Sequence, residues 1–220
     1  MSNLARCYKH LGEYENTVHF LERALKIVYG LQDEDVDMLD KIINSLAVAY
    51  QDIGNLEEAI ELLEPLLKSN IDEYGERSPT VARRQSNLAL IYLDFQRPKE
   101  AKDLLEKALA TETNHYSEGH PTVAVTHCNL GHVHMHLKNY ETAKNLYKTA
   151  MESDIDSYGE HHPIVAKRIF YLGDAYDALG YKNQAKKLAM QAYNTQKRTV
   201  GEDHPDTVLT KEFLKYLEVL

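Results

Sequence analysis

The sequence predicts an all-α solenoid, on three observations: a register that recurs every 42 residues, apolar spacing of helical period within each unit, and only 10 glycines and 6 prolines in 220 residues. Leu4, Leu46, Leu88, Leu130, Leu172 and Leu214 fall in step without an insertion or deletion. One residue later come Ala5, Ala47, Ala89, Gly131 and Gly173, and four residues after each Leu come Tyr8, Tyr50, Tyr92, His134 and Tyr176. A second small column is Thr17, Ala59, Ala101, Ala143 and Ala185; a third is Ala24, Leu66, Ala108, Ala150 and Ala192.

Each unit reads as two helices. Leu88, Ile91, Tyr92 and Phe95 follow i, i+3, i+4, i+7, and Leu104, Leu105, Ala108 and Leu109 give a second stripe. The short break between them holds Gly12, Gly54 and Gly180, which suit a helix C-cap of positive φ, or Pro98, which suits a first helical turn. The longer break carries Tyr74-Gly75-Glu76, Tyr158-Gly159-Glu160 or Val200-Gly201-Glu202, then Ser78-Pro79, His120-Pro121, His162-Pro163 or His204-Pro205. Proline bars its predecessor from helical geometry, so Ser or His takes the N-cap and Pro opens the helix. First helices are expected near 1–11, 37–53, 79–95, 121–137, 163–179 and 205–219, and second helices near 14–31, 56–73, 98–115, 140–157 and 182–199. This makes one array of five repeats, 1–36, 37–78, 79–120, 121–162 and 163–204, closed by a helix over 205–220. In that helix Phe213, Tyr216, Leu217 and Leu220 form one apolar stripe and Lys215 and Glu218 replace the small and Tyr positions, as a terminal cap requires. The first helix lacks a Pro-led turn, which reads as a chain cut from a longer one.

The Leu-Ala/Gly-x-x-Tyr columns and the later Ala columns resemble the tetratricopeptide repeat, whose usual unit is about 34 residues. The string Tyr-Gly-Glu-x-His-Pro-x-Val-Ala followed by Asn-Leu-Ala/Gly is similar to the 42-residue variety of kinesin light chains and nephrocystin-type proteins. The resemblance covers the whole chain and implies a right-handed superhelix whose first helices line a concave groove. It also implies that an Asn just before the repeat Leu holds a ligand's backbone; Asn3, Asn87 and Asn129 match, Ser45 is shorter and Tyr171 departs. An amide donates and accepts at once, so it grips an extended peptide of any sequence.

Residues left out of the core columns are the groove candidates: Lys41, Asn44, Ser45, Val48 and Asp52; Arg83, Ser86, Asn87, Leu90 and Asp94; Val125, Cys128, Asn129, His132 and His136; and Lys167, Phe170, Tyr171, Asp174 and Ala178. The sharpest are Lys41, Asn44, Arg83, Asn87, Leu90, Asn129, His132, His136, Lys167 and Tyr171. Lys41, Arg83 and Lys167 would favour acidic or C-terminal carboxylate groups, although Asp52, Asp94 and Asp174 dilute the field.

No Gly-rich phosphate loop, Gly-x-Ser-x-Gly elbow or His-Glu-x-x-His helix occurs, so no catalytic residue and no cofactor is assigned. Cys128, His132 and His136 share one helical face, but the outer two are about 12 Å apart along the axis, too far for one ion to bind all three; they read as polar groove residues, with His134 in the core. A bridge between Cys7 and Cys128, three repeats apart, is excluded by geometry. The net charge of −9 argues against nucleic acid and anionic membrane, and no apolar run exceeds Leu88–Leu93. The reading is a cytoplasmic, non-enzymatic module that binds a protein or peptide segment in its groove, a monomer being favoured. The alternatives are a self-associating or regulatory segment of a larger protein and, behind it, a His/Cys metal-binding protein.

Overall fold

The computed structural model describes residues 14–29 and 36–219. Leu4, Ala5 and Tyr8, the first helix over 1–11, the Asn3 clamp, Cys7 and Leu220 lie outside the described residues. The described residues form ten α-helices and no strand: α1 (Tyr14–Tyr29), α2 (Val36–Ile53), α3 (Leu56–Tyr74), α4 (Pro79–Asp94), α5 (Pro98–His115), α6 (Pro121–His136), α7 (Tyr140–Tyr158), α8 (Pro163–Ala178), α9 (Lys182–Thr199) and α10 (Pro205–Tyr216). Apart from the terminal one, each begins and ends within two residues of its expected span. This is an all-α helical repeat solenoid. It divides into two compact units, unit 1 over 1–104 and unit 2 over 105–220.

The repeat columns are the core. Ala59, Ala101, Ala143, Ala185, Ala108, Ala150 and Ala192 are fully enclosed, and Leu46, Leu88, Leu130, Leu172 and Leu214 are buried. A methyl group at these positions lets helices approach closely, and the Leu and Tyr side chains fill the space between them. In unit 1, Val18, Leu21, Leu46 and Ala49 form one cluster and Ala24, Val28 and Ile42 another. In unit 2 the clusters are Ala124, Cys128, Ala143, Tyr147, Ala150, Leu172 and Ala175, then Val165, Ile169, Phe170 and Ala192, then Ala185, Ala189, Tyr193, Leu214 and Leu217. His134 is half-buried rather than core, its Nδ1 3.4 Å from Asn139 Nδ2. At the terminal helix Leu214 and Leu217 carry the burial, whereas Tyr216 is 61% exposed, stacking on Phe213 and meeting Lys182 at its ring and hydroxyl.

The turn inside each repeat needs a left-handed residue. Gly54 and Gly180 supply it at φ 84°, but Gln96 and Lys138 adopt φ 59° and 60° with full side chains. The turn is held at all four positions by the same closing bond, for example Arg97 N–H to Tyr92 O at 2.7 Å and Asn139 N–H to His134 O at 2.8 Å.

The His-Pro turns show why His serves where Ser was the obvious cap. Ser78 Oγ accepts from the Thr80 N–H at 3.3 Å; His120, His162 and His204 accept through Nδ1 from Thr122, Ile164 and Asp206 N–H, each at 3.2 Å. The imidazole nitrogen thus stands in for a hydroxyl, and Tyr116 and Tyr158 stack on the rings of His120 and His162. Replacing His162 with Ala removes this acceptor and is expected to cost about 1 kcal/mol, while His162→Ser keeps most of the stability. Urea unfolding of the two variants checks this.

Between repeats lies a feature the apolar columns do not reveal. Fourteen residues separate a buried polar side chain on a second helix from one on the following first helix. Asn70 Oδ1 accepts from Arg84 Nε at 3.2 Å, and Asp154 Oδ2 accepts from Arg168 Nε at 2.9 Å. Thr126 hydrogen-bonds Glu112, which burial pushes toward the protonated form, and Gln196 and Thr210 hold the same two positions, both buried. The first boundary is the apolar version, Val28 against Ile42. No described helix is long and apolar enough to cross a membrane.

Candidate functional site

Arg84 is turned inward, and Arg83 beside it on α4 is turned outward. Arg84 Nη2 also bonds Asp40 Oδ2 on α2 at 3.0 Å, so the guanidinium pins α4 to both α2 and α3. Arg83 is therefore exposed, and Asn87 and Leu90 are half-buried on the same side as exposed Lys41 and half-buried Asn44 of α2. The two amides meet: Asn87 Nδ2 donates to Asn44 Oδ1 at 2.5 Å. This leaves Asn87 Oδ1 and Asn44 Nδ2 as one acceptor and one donor at the surface. Gln51 Nε2 donates to Asp94 Oδ2 at 2.6 Å, tying α2 to α4. Ser45 turns its hydroxyl onto the Lys41 carbonyl at 2.8 Å and offers no clamp.

In unit 2, Asn129 and His132 on α6 and Lys167 and Tyr171 on α8 are half-buried, and His136 is exposed. Lys167 Nζ bonds Asp206 Oδ1 at 3.0 Å, so its charge is largely neutralised within the protein. Tyr171 fills its position with a ring that meets His132 edge-on at 4.4 Å and stacks at 5.6 Å on Tyr147.

Cys128 is corrected from groove to interior. It is 1% exposed, Arg168 Nη1 donates to its Sγ at 2.9 Å, and burial pushes its thiol up to about 11 against the pull of Arg168. Phe170, one repeat period beyond Cys128, is likewise interior: it is 9% exposed and packs against Phe213. A shared helical face was therefore two faces, one outward and one toward the next repeat. Among the described residues no three His, Cys, Asp or Glu side chains are placed to hold a metal ion.

His132 joins the two faces. Its Nδ1 lies 2.8 Å from Tyr147 Oη and its Nε2 3.6 Å from Cys128 Sγ; the neutral ring has one N–H, so it donates one contact and accepts the other. Burial, then the charges of Arg168, Lys167 and His136, push His132 down to about 4. Since the folded value is depressed, this histidine contributes stability that is complete above about 6.5 and lost as pH falls toward 4. His132→Gln keeps hydrogen bonding without the titration, so it should flatten that part of the pH–stability curve, read by urea unfolding from neutral to acid pH.

Tyr147 explains Gly131. Leu occupies its register at 21, 63 and 105, and Ala occupies that of Gly131 at 47 and 89. A Cβ on Gly131 would stand 2.7 Å from Tyr147 Cδ1 and closer still to Cε1, so the larger ring requires the smaller neighbour. Gly131→Ala is expected to cost about 2 kcal/mol in the native chain and far less in a Tyr147→Leu background, as a double-mutant cycle in urea would record.

A tetratricopeptide repeat model matches residues 38–111 and 122–198, and a second matches 1–35. No curated protein shows significant similarity to the chain. Among solved structures, the chain is similar to nearly identical TPR-like repeats described as a kinesin light chain of Podosopora anserina (25% identity, 90% of this chain and 93% of that one, TM-score 0.74). It is likewise similar to BtubC of P. vanneervenii (25% identity, 92% and 80%, TM-score 0.74). The Rap conjugation gene regulator of plasmid pLS20, solved with the Phr* peptide, shares the fold at 15% identity (97% and 56%, TM-score 0.77).

Proposed function

Because the chain belongs to the tetratricopeptide repeat family, we propose that it is a non-catalytic scaffold that holds an extended peptide segment of a partner protein on the outward faces of its first helices. The observation that carries this reading is the Asn44–Asn87 pair, whose spare donor and acceptor match the alternating carbonyl and N–H groups of an extended backbone. Leu90, half-buried beside it, offers apolar contact, and Asn129 presents an amide at the equivalent register of unit 2. The fold is one that in the Rap regulator was solved with a peptide bound.

Charge enters through unit 1. Lys41 and Arg83 are exposed and make no ion pair among the described residues, whereas Lys167 is held by Asp206. An acidic side chain or C-terminal carboxylate of the peptide is therefore drawn to the α2–α4 surface. Rim charges of this kind raise association rate and weaken with salt more than they set affinity.

Panning a random-peptide library on the purified chain supplies the probe. Selected peptides are expected to lose about tenfold or more in affinity for Asn87→Ala plus Asn129→Ala, each lost hydrogen bond contributing about 1 kcal/mol. Unchanged binding by that variant would overturn the assignment of these faces.

A further inference from the structure

The outer faces of α3 and α9 carry opposite charge. On α3, Glu57, Glu58, Glu61, Glu64 and Asp72 are exposed or half-buried with a single cation, Lys68, among them. On α9, Lys182, Lys187, Lys197 and Arg198 are exposed, Lys186 is half-buried, and no carboxylate occurs in the helix. The two helices hold the same place in their repeats, three periods apart, and at two positions the charge itself is reversed: Glu61 corresponds to Lys187 and Asp72 to Arg198.

Most of these charges have no partner among the described residues. Among the described residues Glu57, Glu58, Glu61 and Asp72 make no hydrogen bond or ion pair through their side chains, and neither do Lys186, Lys187 and Arg198. Glu64 accepts from the Tyr92 hydroxyl, and Lys182 and Lys197 are engaged by Asp177 at 2.9 Å and Glu202 at 3.3 Å. Arg198 also lines a shallow cleft with Gln191, Asn194, Thr195, His161 and the carboxylate of Glu160.

We propose that α9 of one copy of this chain docks on α3 of another, so that the protein self-associates through these complementary faces. The net charge of −9 does not prevent this. Charges farther apart than about 8 Å are screened at physiological ionic strength, so local complementarity outweighs the repulsion of whole molecules. Because the two faces are different surfaces, the contact is heterologous and extends beyond two copies unless its rotation closes.

Static light scattering on the full chain, from micromolar to millimolar protein, reads the outcome. At about 0.05 M salt the mean mass should climb above 25.2 kDa with concentration, and about 0.5 M salt should weaken association at least tenfold. Reversing one face (Lys186→Glu, Lys187→Glu and Arg198→Glu) or the other (Glu57→Lys, Glu58→Lys and Glu61→Lys) should leave each variant monomeric. Mixing the two variants should restore association, since each retains the face that complements the other's unaltered one; this also shows that both are folded. A wild-type chain that stays at 25.2 kDa throughout the low-salt series overturns the proposal, as does association indifferent to the reversals or not regained on mixing.

Discussion

The structure depends on the contact between the second helix of one repeat and the first helix of the next. A single repeat cannot cover its own apolar face, so the array is stable only if every boundary closes at the same rotation. Apolar columns alone fix distance better than rotation, because a stripe of Leu and Ala tolerates sliding. A buried polar pair does not. Arg84 finds Asn70 and Asp40 at one azimuth of α4, and Arg168 finds Asp154 and Cys128 at one azimuth of α8. Away from it, a guanidinium that is 2% or 7% exposed would be left without partners, at a cost of several kcal/mol.

That rotation decides what the surface offers. Arg83 lies outward because Arg84 lies inward, and Lys167 stands in the same relation to Arg168. The units then use the freed face differently. In unit 1 the amides of Asn44 and Asn87 and the charges of Lys41 and Arg83 remain at the surface. In unit 2 the aromatic side chains of Tyr171, Tyr147 and His132 pack on one another, and Lys167 turns to Asp206. The same register thus yields a polar, charged surface in one unit and an aromatic one in the other.

Most of the fold was legible in the sequence because its signals are periodic and apolar. The Leu, Ala and Tyr columns located the helices, and the Pro after Ser or His located their starts. What escaped was polar. Asn70, Glu112, Asp154 and Gln196 recur at the repeat period, as do Arg84, Thr126, Arg168 and Thr210, but a pattern read from hydrophobicity leaves such residues on the surface. The period itself was the missed signal, since a solvated residue has no reason to alternate in step with a column fourteen residues away. Cys128 was misplaced for a related reason: a first helix has an outward face and a face toward the next repeat, and a spacing of four does not distinguish them. The left-handed Gln96 and Lys138 had no glycine to announce them; their turns are imposed by the packing on either side.

The most direct test is a double-mutant cycle on Arg168 and Asp154, with Met and Leu as apolar replacements, followed by urea unfolding at neutral pH. Either single replacement strands a buried charge, so each should cost roughly 3 kcal/mol, and the double replacement should cost clearly less than their sum, with a coupling of at least about 2 kcal/mol. Additive losses would mean that the pair does not hold the boundary, and that the rotation of the first helices, with the surface it presents, has another cause.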